Sequence, residues 1–375
     1  MAQLREVAIV GAGVLGLAAG RALAARGRDV VILEQGEIGN PWSGSKGSCR
    51  ILRAGYREPS YVAAALQARD MWRELETASG RQILHPRPQL TFGTGMRSIQ
   101  DAMTAAGAPG ELLTAAEAAR RFPAIATAGP ALLEPDSAVI AADQALAALV
   151  AGGAEIRTGI RVTRLSDDGR RVTLQTTAGP VAAQAAIITA GPWSSGLLAS
   201  AGVPLPGRPV LEQVAYLRAR AGDDDSTPIF ICHADQVPYG LPVPGSPLYK
   251  IGIHQSGPAT DPDSRDESPD LGLMSALAKV TRRYLPGYDP EPVATERCIY
   301  DNSPDEDFII DRIGNVVIGC GTSGHGFKFG PLLGEWLADL AAGRAGHECG
   351  TSRTQIQLDP QLAERFTIRR FRHPH

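Results

Sequence analysis

The 375-residue chain has few cysteines, and the few it has are not spaced as metal ligands. There are 5, an odd number with no Cys-x-x-Cys pair, at positions 49, 232, 298, 320 and 349. This pattern argues against zinc modules and against disulfide-rich secreted scaffolds. We therefore expect no metal site and a reduced, cytoplasmic compartment.

The chain also lacks long apolar runs and a charge excess of either sign. No stretch approaches 18 consecutive apolar residues, so no membrane span is expected. The 37 basic and 40 acidic residues leave a net charge of -3, which gives no general attraction to nucleic acid or anionic lipid. The first strand is predicted to begin by about Val7, which leaves no room for a signal peptide.

A glycine-rich turn near the start of the chain is its clearest motif. Residues 7–16 read VAIVGAGVLG, a strand that runs into a helix predicted over residues 13–26, with Val14 as a further candidate site residue. In this motif Gly11 permits a tight turn, Gly13 permits close approach of pyrophosphate, and Gly16 permits close helix packing. Glu34 ends the next strand, 23 positions after Gly11 (34 − 11), where an acid binds ribose hydroxyls and repels a 2′-phosphate. The turn predicts a dinucleotide other than NADP and leaves NAD and FAD open.

Three further segments favour FAD. A flexible polar loop containing Ser45 follows the first strand–helix–strand unit. A strand over residues 186–189 ends in the small residues Ala190 and Gly191, before Trp193, and such a strand can lie against a cofactor. A second glycine turn near the end of the chain leads towards a helix at residue 330, whose N-terminus could stabilise negative charge on a flavin. Its predicted cofactor residues are Gly324, Gly326, Phe327 and Lys328.

Strands alternate with helices at both ends of the chain, and strands dominate its middle. We predict an α/β protein: a Rossmann-type FAD-binding domain with an inserted α+β substrate domain that carries a largely antiparallel sheet. The discontinuous FAD-binding domain is predicted over residues 1–81, 138–208 and 298–375. The substrate domain is predicted over residues 82–137 and 209–297.

Three segments resemble one enzyme family. They are Arg50-Ile51-Leu52-Arg53, the strand YKIGIH at residues 249–254, and the stretch from Cys298 to Lys328 that includes PDEDFIID at residues 304–311. The chain resembles monomeric sarcosine oxidase and its relatives, the N-methyltryptophan, pipecolate and amadori-product oxidases. These form the amine-oxidising branch of the D-amino-acid-oxidase-like flavoproteins. The resemblance runs from Val7 to about Ala342.

The resemblance implies roles for specific residues. Arg53 and Lys328 would hold the substrate carboxylate, and Arg50 would lie beside the flavin and shape the charge there. Cys298 would form a thioether to the 8α-methyl group of FAD. Lys250 would be the site of oxygen activation.

The remaining implied residues shape the substrate pocket. His254 would contact the substrate region, and Tyr239 and Tyr300 would contribute to the pocket wall. The loop at residues 44–49 is shorter than in sarcosine oxidase and carries Lys46 and Cys49 in place of other residue types.

The resemblance predicts an FAD-dependent oxidase of a secondary amino acid, either N-methylated or cyclic, that forms an imine and reduces O2 to H2O2. We expect a small amine substrate and a monomer, without nucleic acid or membrane partners. Two alternatives remain open: a tailoring oxidoreductase acting on a ring amine or imino acid in secondary metabolism, and a flavin dehydrogenase with an acceptor other than oxygen. We call Arg53 and Lys328 the carboxylate clamp. The presence of the complete clamp disfavours a non-catalytic FAD-binding subunit.

Overall fold

The computed structural model of the chain describes residues 4–220, 226–343 and 359–371, so that Cys349 lies outside the described part. The strands of the described residues are β1 (Arg5–Val10), β2 (Val30–Leu33), β3 (Cys49–Leu52), β4 (Leu84–Pro86), β5 (Gln89–Gly93), β6 (Glu111–Leu113), β7 (Ala131–Glu134), β8 (Ala138–Ala141), β9 (Glu155–Arg157), β10 (Val162–Asp167), β11 (Val172–Thr176), β12 (Val181–Ile188), β13 (Arg208–Arg218), β14 (Ile229–His233), β15 (Val237–Pro242), β16 (Leu248–His254), β17 (Ala294–Asn302), β18 (Ile309–Ile313) and β19 (Val316–Cys320). The α-helices are α1 (Val14–Ala25), α2 (Pro59–Ser79), α3 (Met96–Ala105), α4 (Ala115–Arg121), α5 (Ala142–Val150), α6 (Ser194–Ala199), α7 (Leu271–Tyr284), α8 (Gly330–Ala341) and α9 (Pro360–Phe366). Short 3-10 turns occur at Gly191–Trp193, Phe327–Phe329 and Ile368–Phe371.

The first sheet joins the two ends of the chain. Its strand order is β10-β11-β12-β1-β2-β9, and β19 pairs in parallel with β12 on the side away from β1. The strands β1, β2, β12 and β19 are apolar along almost their whole length because both faces of the sheet are covered. Helices α1, α5 and α8 pack on one face, and α6 packs on the other. The carboxyl ends of four parallel strands therefore meet at one edge.

The second sheet has the order β17-β13-β16-β15-β14-β5-β7-β6, and its pairs are antiparallel except β14 with β5. Helix α7 packs on one of its faces. A third, small sheet has the order β3-β8-β4. Together these sheets confirm the predicted α/β class, with a nucleotide-binding type of sheet and a largely antiparallel second sheet.

The predicted division into domains stays a prediction, and two strands cross predicted boundaries: β13 begins at Arg208, before the boundary at residue 209, and β17 spans residue 298. The boundary at residue 298 falls inside β17, which pairs along its whole length with β13 of the second sheet. In the described ranges, no helix is both long and apolar enough to cross a bilayer.

Candidate active site

The glycine turn between β1 and α1 has the geometry that its sequence predicts. Gly11 has φ 98°, and a Cβ there would lie 2.5 Å from the carbonyl oxygen of Thr189. Helix α1 approaches so closely that a Cβ on Gly16 would lie 1.9 Å from the Gly11 oxygen. The turn therefore needs glycine at both positions, and it leaves the N-terminus of α1 open at the edge of the sheet.

Two polar side chains complete this turn. Ser45 accepts a hydrogen bond from the Val14 N–H at 3.0 Å. Glu34 directly follows β2, is 9% exposed, and accepts hydrogen bonds from the N–H groups of Ala12 (2.7 Å) and Gly36 (2.9 Å). A carboxylate oxygen has a second lone pair, so Glu34 keeps acceptor capacity for a hydroxyl.

One large cavity runs from this turn to the second sheet. Its volume is about 1050 Å³, at the upper end of the range for small-molecule sites. The predicted site residues that line it are Gly11, Gly13, Val14, Glu34, Ser45, Arg50, Arg53, Ala190, Gly191, Trp193, Tyr239, Lys250, His254, Cys298, Tyr300, Gly324, Gly326, Phe327 and Lys328. Gly16 instead packs α1 against the turn. Residues that lie up to 317 positions apart in sequence (328 − 11) therefore share one space.

The two arginines of β3 have different surroundings. The guanidinium group of Arg50 donates to the carbonyl oxygens of Cys49 (2.9 Å), Gly44 (3.1 Å) and Lys46, and it lies 5.3 Å from the ring centre of Phe327. Arg50 thus holds the loop that also carries Ser45. The sequence predicts a flexible polar loop around Ser45, and the residues that follow form β3 because they pair with β8.

Arg53 and Lys328 meet at Tyr56. The guanidinium carbon of Arg53 lies 4.1 Å from the ring centre of Tyr56. The Nζ of Lys328 donates to the Tyr56 hydroxyl at 3.2 Å and to the His325 carbonyl at 2.9 Å. Burial lowers the pKa of Lys328 well below its usual range, and the charge of Arg53 lowers it further, while Glu134 acts in the opposite direction. Two cations at the end of a cavity suit a bound carboxylate.

Three residues around this pair escaped the sequence analysis: Tyr56, Glu134 and His325. Glu134 ends β7 at 4% exposure and accepts from the N–H groups of Ala54 (2.5 Å) and Gly55 (2.9 Å). The ring of His325 lies between the Tyr56 hydroxyl (3.3 Å) and the carbonyl oxygen of Glu306 (3.0 Å). Burial keeps the pKa of His325 well below its usual value. His325 belongs to the run SGHGFKF of the second glycine turn, and this position was the one sequence feature that could have marked it as a site residue.

Another part of the cavity lining comes from β15, β16 and β17 of the second sheet. Lys250 is 6% exposed, and its Nζ lies 5.9 Å from the ring centre of Tyr216. His254, on the same face of β16, lies 3.5 Å from a carboxylate oxygen of Glu306, and this contact lowers the pKa of Glu306. Because alternate side chains of a strand point to the same face, β16 brings both Lys250 and His254 to the cavity.

Cys298 and Tyr300 point from β17 towards the same space. Burial raises the pKa of the Cys298 thiol, while the charges of Lys250 and Arg50 act in the opposite direction. Tyr300 lies against Gly324, where a Cβ would come within 2.1 Å of its ring, and its ring centre is 5.8 Å from that of His254. The thiol, two cations and an aromatic wall thus surround one part of the cavity.

Comparison with known proteins gives consistent matches over nearly the whole chain. The family model described as "DAO: FAD dependent oxidoreductase" matches residues 6–340. The chain is 34% identical to "Peroxisomal sarcosine oxidase" of Mus musculus, over 90% of this chain and 92% of that protein. It is 30% identical to "Monomeric sarcosine oxidase" of Bacillus sp. (strain NS-129), over 92% and 94%. Among solved structures, NikD, titled "an unusual amino acid oxidase essential for nikkomycin biosynthesis", matches with a TM-score of 0.81 and 27% identity, over 92% of this chain and 96% of NikD.

Proposed function

The chain belongs to the DAO family of FAD-dependent oxidoreductases, and we propose that it is an oxidase of a secondary amino acid, either N-methylated or cyclic. The observation that carries this proposal is the convergence of Arg53 and Lys328 on Tyr56. These cations lie in the same cavity as the dinucleotide turn at Gly11. A carboxylate held there would present the neighbouring C–N bond to the cofactor.

The residues of the cavity fit FAD. Gly11 and Gly13 with the N-terminus of α1 would hold the pyrophosphate, and Glu34 would hold the ribose. Gly191 has φ 52° with nothing within 4 Å of a Cβ position, so a side chain there would enter space that is otherwise open. The other residues proposed to hold the cofactor are Ser45, Arg50, Ala190, Trp193, Gly324, Gly326 and Phe327. When bound, FAD supplies the two-electron oxidation of the C–N bond to an imine.

The protein binds and orients the substrate. Arg53 would bind the carboxylate with its planar fork and Lys328 with its ammonium group. A bound carboxylate would hold the proton on the Lys328 Nζ, against the lowering of its pKa by burial. The two cations also favour the neutral form of the substrate amine, which is the form that can be oxidised. His254, Tyr239 and Tyr300 would form the pocket wall.

We infer that O2 is the electron acceptor and that Lys250 assists it. Lys250 is 6% exposed and lines the same cavity as Arg53. A fixed positive charge lowers the energy of the anion that forms when O2 accepts an electron, and the final product is H2O2. We expect a monomer, which light scattering of the purified protein would test.

We also propose that FAD is attached through Cys298. Cys298 would hold FAD by a thioether to its 8α-methyl carbon: the thiol and the methyl group would each lose a hydrogen, and O2 would take up the two electrons and two protons as H2O2. Lys250 and Arg50 would favour the reactive thiolate. If this is right, yellow colour stays with acid-precipitated wild-type protein and is released from Cys298→Ser. Free FAD from the wild type would rule out the attachment.

The function itself is tested with a panel of N-methyl and cyclic amino acids, followed by peroxide release. We expect Arg53→Met and Lys328→Met each to raise KM at least about tenfold, since each removes a charge-assisted hydrogen bond. Both variants should retain FAD. The exposed Arg73 on α2 provides a matched control, Arg73→Met, that should leave KM unchanged. Unchanged KM values in both clamp variants would refute the clamp.

A second candidate function is oxidation of a ring amine in secondary metabolism. The observation in its favour is the match to NikD at 27% identity over 92% of this chain. Cyclic imino acids and ring amines without a carboxylate separate the two candidates. Turnover only of ring amines that lack a carboxylate would favour the second.

A further inference from the structure

Beyond the carboxylate clamp, two residues at the rim of the cavity have no role in the proposed function. They are Arg57, in the loop between β3 and α2, and His233, the last residue of β14. His233 lies opposite Gly93 in the parallel pair β14–β5, and its carbonyl oxygen accepts the Thr94 N–H at 2.8 Å. The guanidinium group of Arg57 covers Gly95, where a Cβ would lie 2.5 Å from one of its nitrogens. The turn at residues 93–95 therefore brings both residues to one rim.

Arg57 has no carboxylate within ion-pair distance among the residues that the structure describes. Three acids that line the same cavity are already engaged. Glu58 and Asp307 contact Arg365 at 3.9 and 2.6 Å, and Glu306 contacts His254 at 3.5 Å. Arg57 is exposed and presents free donors to the cavity. A cation with unused donors at the rim of a substrate cavity can recognise an anion.

His233 is the second component. Burial, together with the charges of Arg53, Arg57 and His254, lowers its pKa to about 4. Near neutral pH it is therefore an uncharged imidazole among groups that can carry positive charge. Such a ring can donate one N–H to an anion and carries no negative charge that would repel it.

We propose that Arg57 and His233 form a second anion-binding subsite, so that the preferred substrate is a secondary amino acid with a second acidic group. This inference rests on the proposed function, because Arg53 and Lys328 must hold the first carboxylate. Arg57 would bind the second carboxylate with its fork, and His233 would donate an additional hydrogen bond. The second carboxylate can stand on the N-substituent or on the side chain of the amino acid.

The test compares dead-end ligands on the holoenzyme by titration calorimetry, at low salt. (Methylthio)acetate has one carboxylate and a sulfur in place of the amine, so it binds without turnover. Thiodiacetate adds a carboxylate on the N-substituent side, and 2-(methylthio)butanedioate adds one on the side-chain side. We expect one of these dianions to bind about tenfold or more tightly than (methylthio)acetate. The tighter dianion identifies where the second acid stands.

Variants of Arg57 and His233 test whether these residues cause the tighter binding of the dianion. Arg57→Met should abolish it and leave (methylthio)acetate within about twofold of the wild type, because the side chain is exposed and its loss leaves the fold intact. Arg57→Lys should retain part of it. His233→Phe should weaken only the dianion, between about twofold and tenfold. The surface control Arg73→Met should change none of the affinities.

Different results would contradict the carboxylate clamp and the second subsite. If Arg53→Met and Lys328→Met leave the binding of (methylthio)acetate unchanged, or if it does not bind the wild type, the clamp is wrong. If the clamp variants weaken it but neither dianion binds more tightly, the second subsite is overturned and the clamp stands. A preference that survives Arg57→Met also overturns the subsite.

Discussion

Replacing Glu134 should disturb both stability and substrate binding, although this residue lies behind the clamp. Its carboxylate receives the N–H groups of Ala54 and Gly55, which connect Arg53 to Tyr56. Burial raises its pKa, while the two N–H bonds and the charge of Arg53 oppose that shift. Glu134→Gln keeps one oxygen acceptor and turns an NH2 group towards the other N–H. It therefore removes one acceptor with almost no change of volume.

The expected loss follows from the two buried donors. A buried N–H without a partner costs about 1–3 kcal/mol, so Glu134→Gln should lower the unfolding free energy by about that amount. Glu134→Ala strands both donors and should cost about 2–6 kcal/mol, a large part of the 5–15 kcal/mol that is typical of a folded protein. Relaxation of the turn should also shift Arg53 and raise KM by about tenfold, which corresponds to about 1.4 kcal/mol.

Urea unfolding measures the first effect, and steady-state kinetics measures the second. Hydrogen exchange at the Ala54 and Gly55 amides reports directly on the two bonds and should accelerate in Glu134→Gln. Glu111→Gln is the matched control: it makes the same chemical change at an exposed ion pair with Arg121 and should cost at most about 1 kcal/mol. A stable Glu134→Gln with protected amides would refute the bonding argument. Lost stability with unchanged KM would show that Glu134 does not position Arg53.

Three further predictions concern other parts of the cavity. In stopped-flow measurements, Lys250→Met should slow the half-reaction with O2 and leave the anaerobic half-reaction with the amine unchanged. Equal slowing of both half-reactions would refute the role of Lys250 in the reaction with O2. Burial raises the pKa of Asp301 to about 7 from its ordinary 3.8. The folded protein thus keeps a proton that the unfolded chain has lost, and stability should fall by about 1.4 kcal/mol per pH unit between these values. Urea titrations at several pH values should show that Asp301→Asn removes this fall of stability with pH. An unchanged pH dependence in the variant would contradict the assignment to Asp301. Asp263 accepts from Trp193 Nε1 (2.7 Å) and pairs with Arg161 (2.6 Å) across the cofactor end of the cavity. Asp263→Ala should weaken FAD binding about threefold, the effect expected for a largely exposed ion pair. It is made together with Cys298→Ser so that FAD can exchange, and an unaltered FAD affinity would show that Asp263 does not support the cofactor.

The nucleotide half of the site was predictable from sequence because its determinants are local. The spacing of Gly11, Gly13 and Gly16 specifies a strand, a tight turn and a close-packed helix within a few residues. The alternation on β16 likewise places Lys250 and His254 on one face whatever surrounds the strand. These features depend on backbone geometry over short distances, so the sequence carries them without knowledge of the tertiary fold.

The clamp was not predictable in the same way. Arg53 and Lys328 are 275 positions apart (328 − 53), and only the resemblance to a known family connected them. The strand β3 that carries Arg50 was not predicted, because its four residues form a strand only through their pairing with β8. Glu134 gave no signal either, because an acid at the end of an apolar strand is ordinarily solvated. Its role appears only when β7 delivers it to amides 80 residues earlier in the chain.

The clamp and the residue behind it come from three different sheets. Arg53 follows the small third sheet, Lys328 follows the last strand of the first sheet, and Glu134 comes from the second sheet. Tyr56 is the contact common to both cations. Because each sheet supplies one member, a shift between sheets changes the separation of the two cations, whereas a change within one sheet does not. Substitutions at the joints between sheets should therefore alter KM more than equally buried substitutions inside a sheet, and Glu134 lies at such a joint.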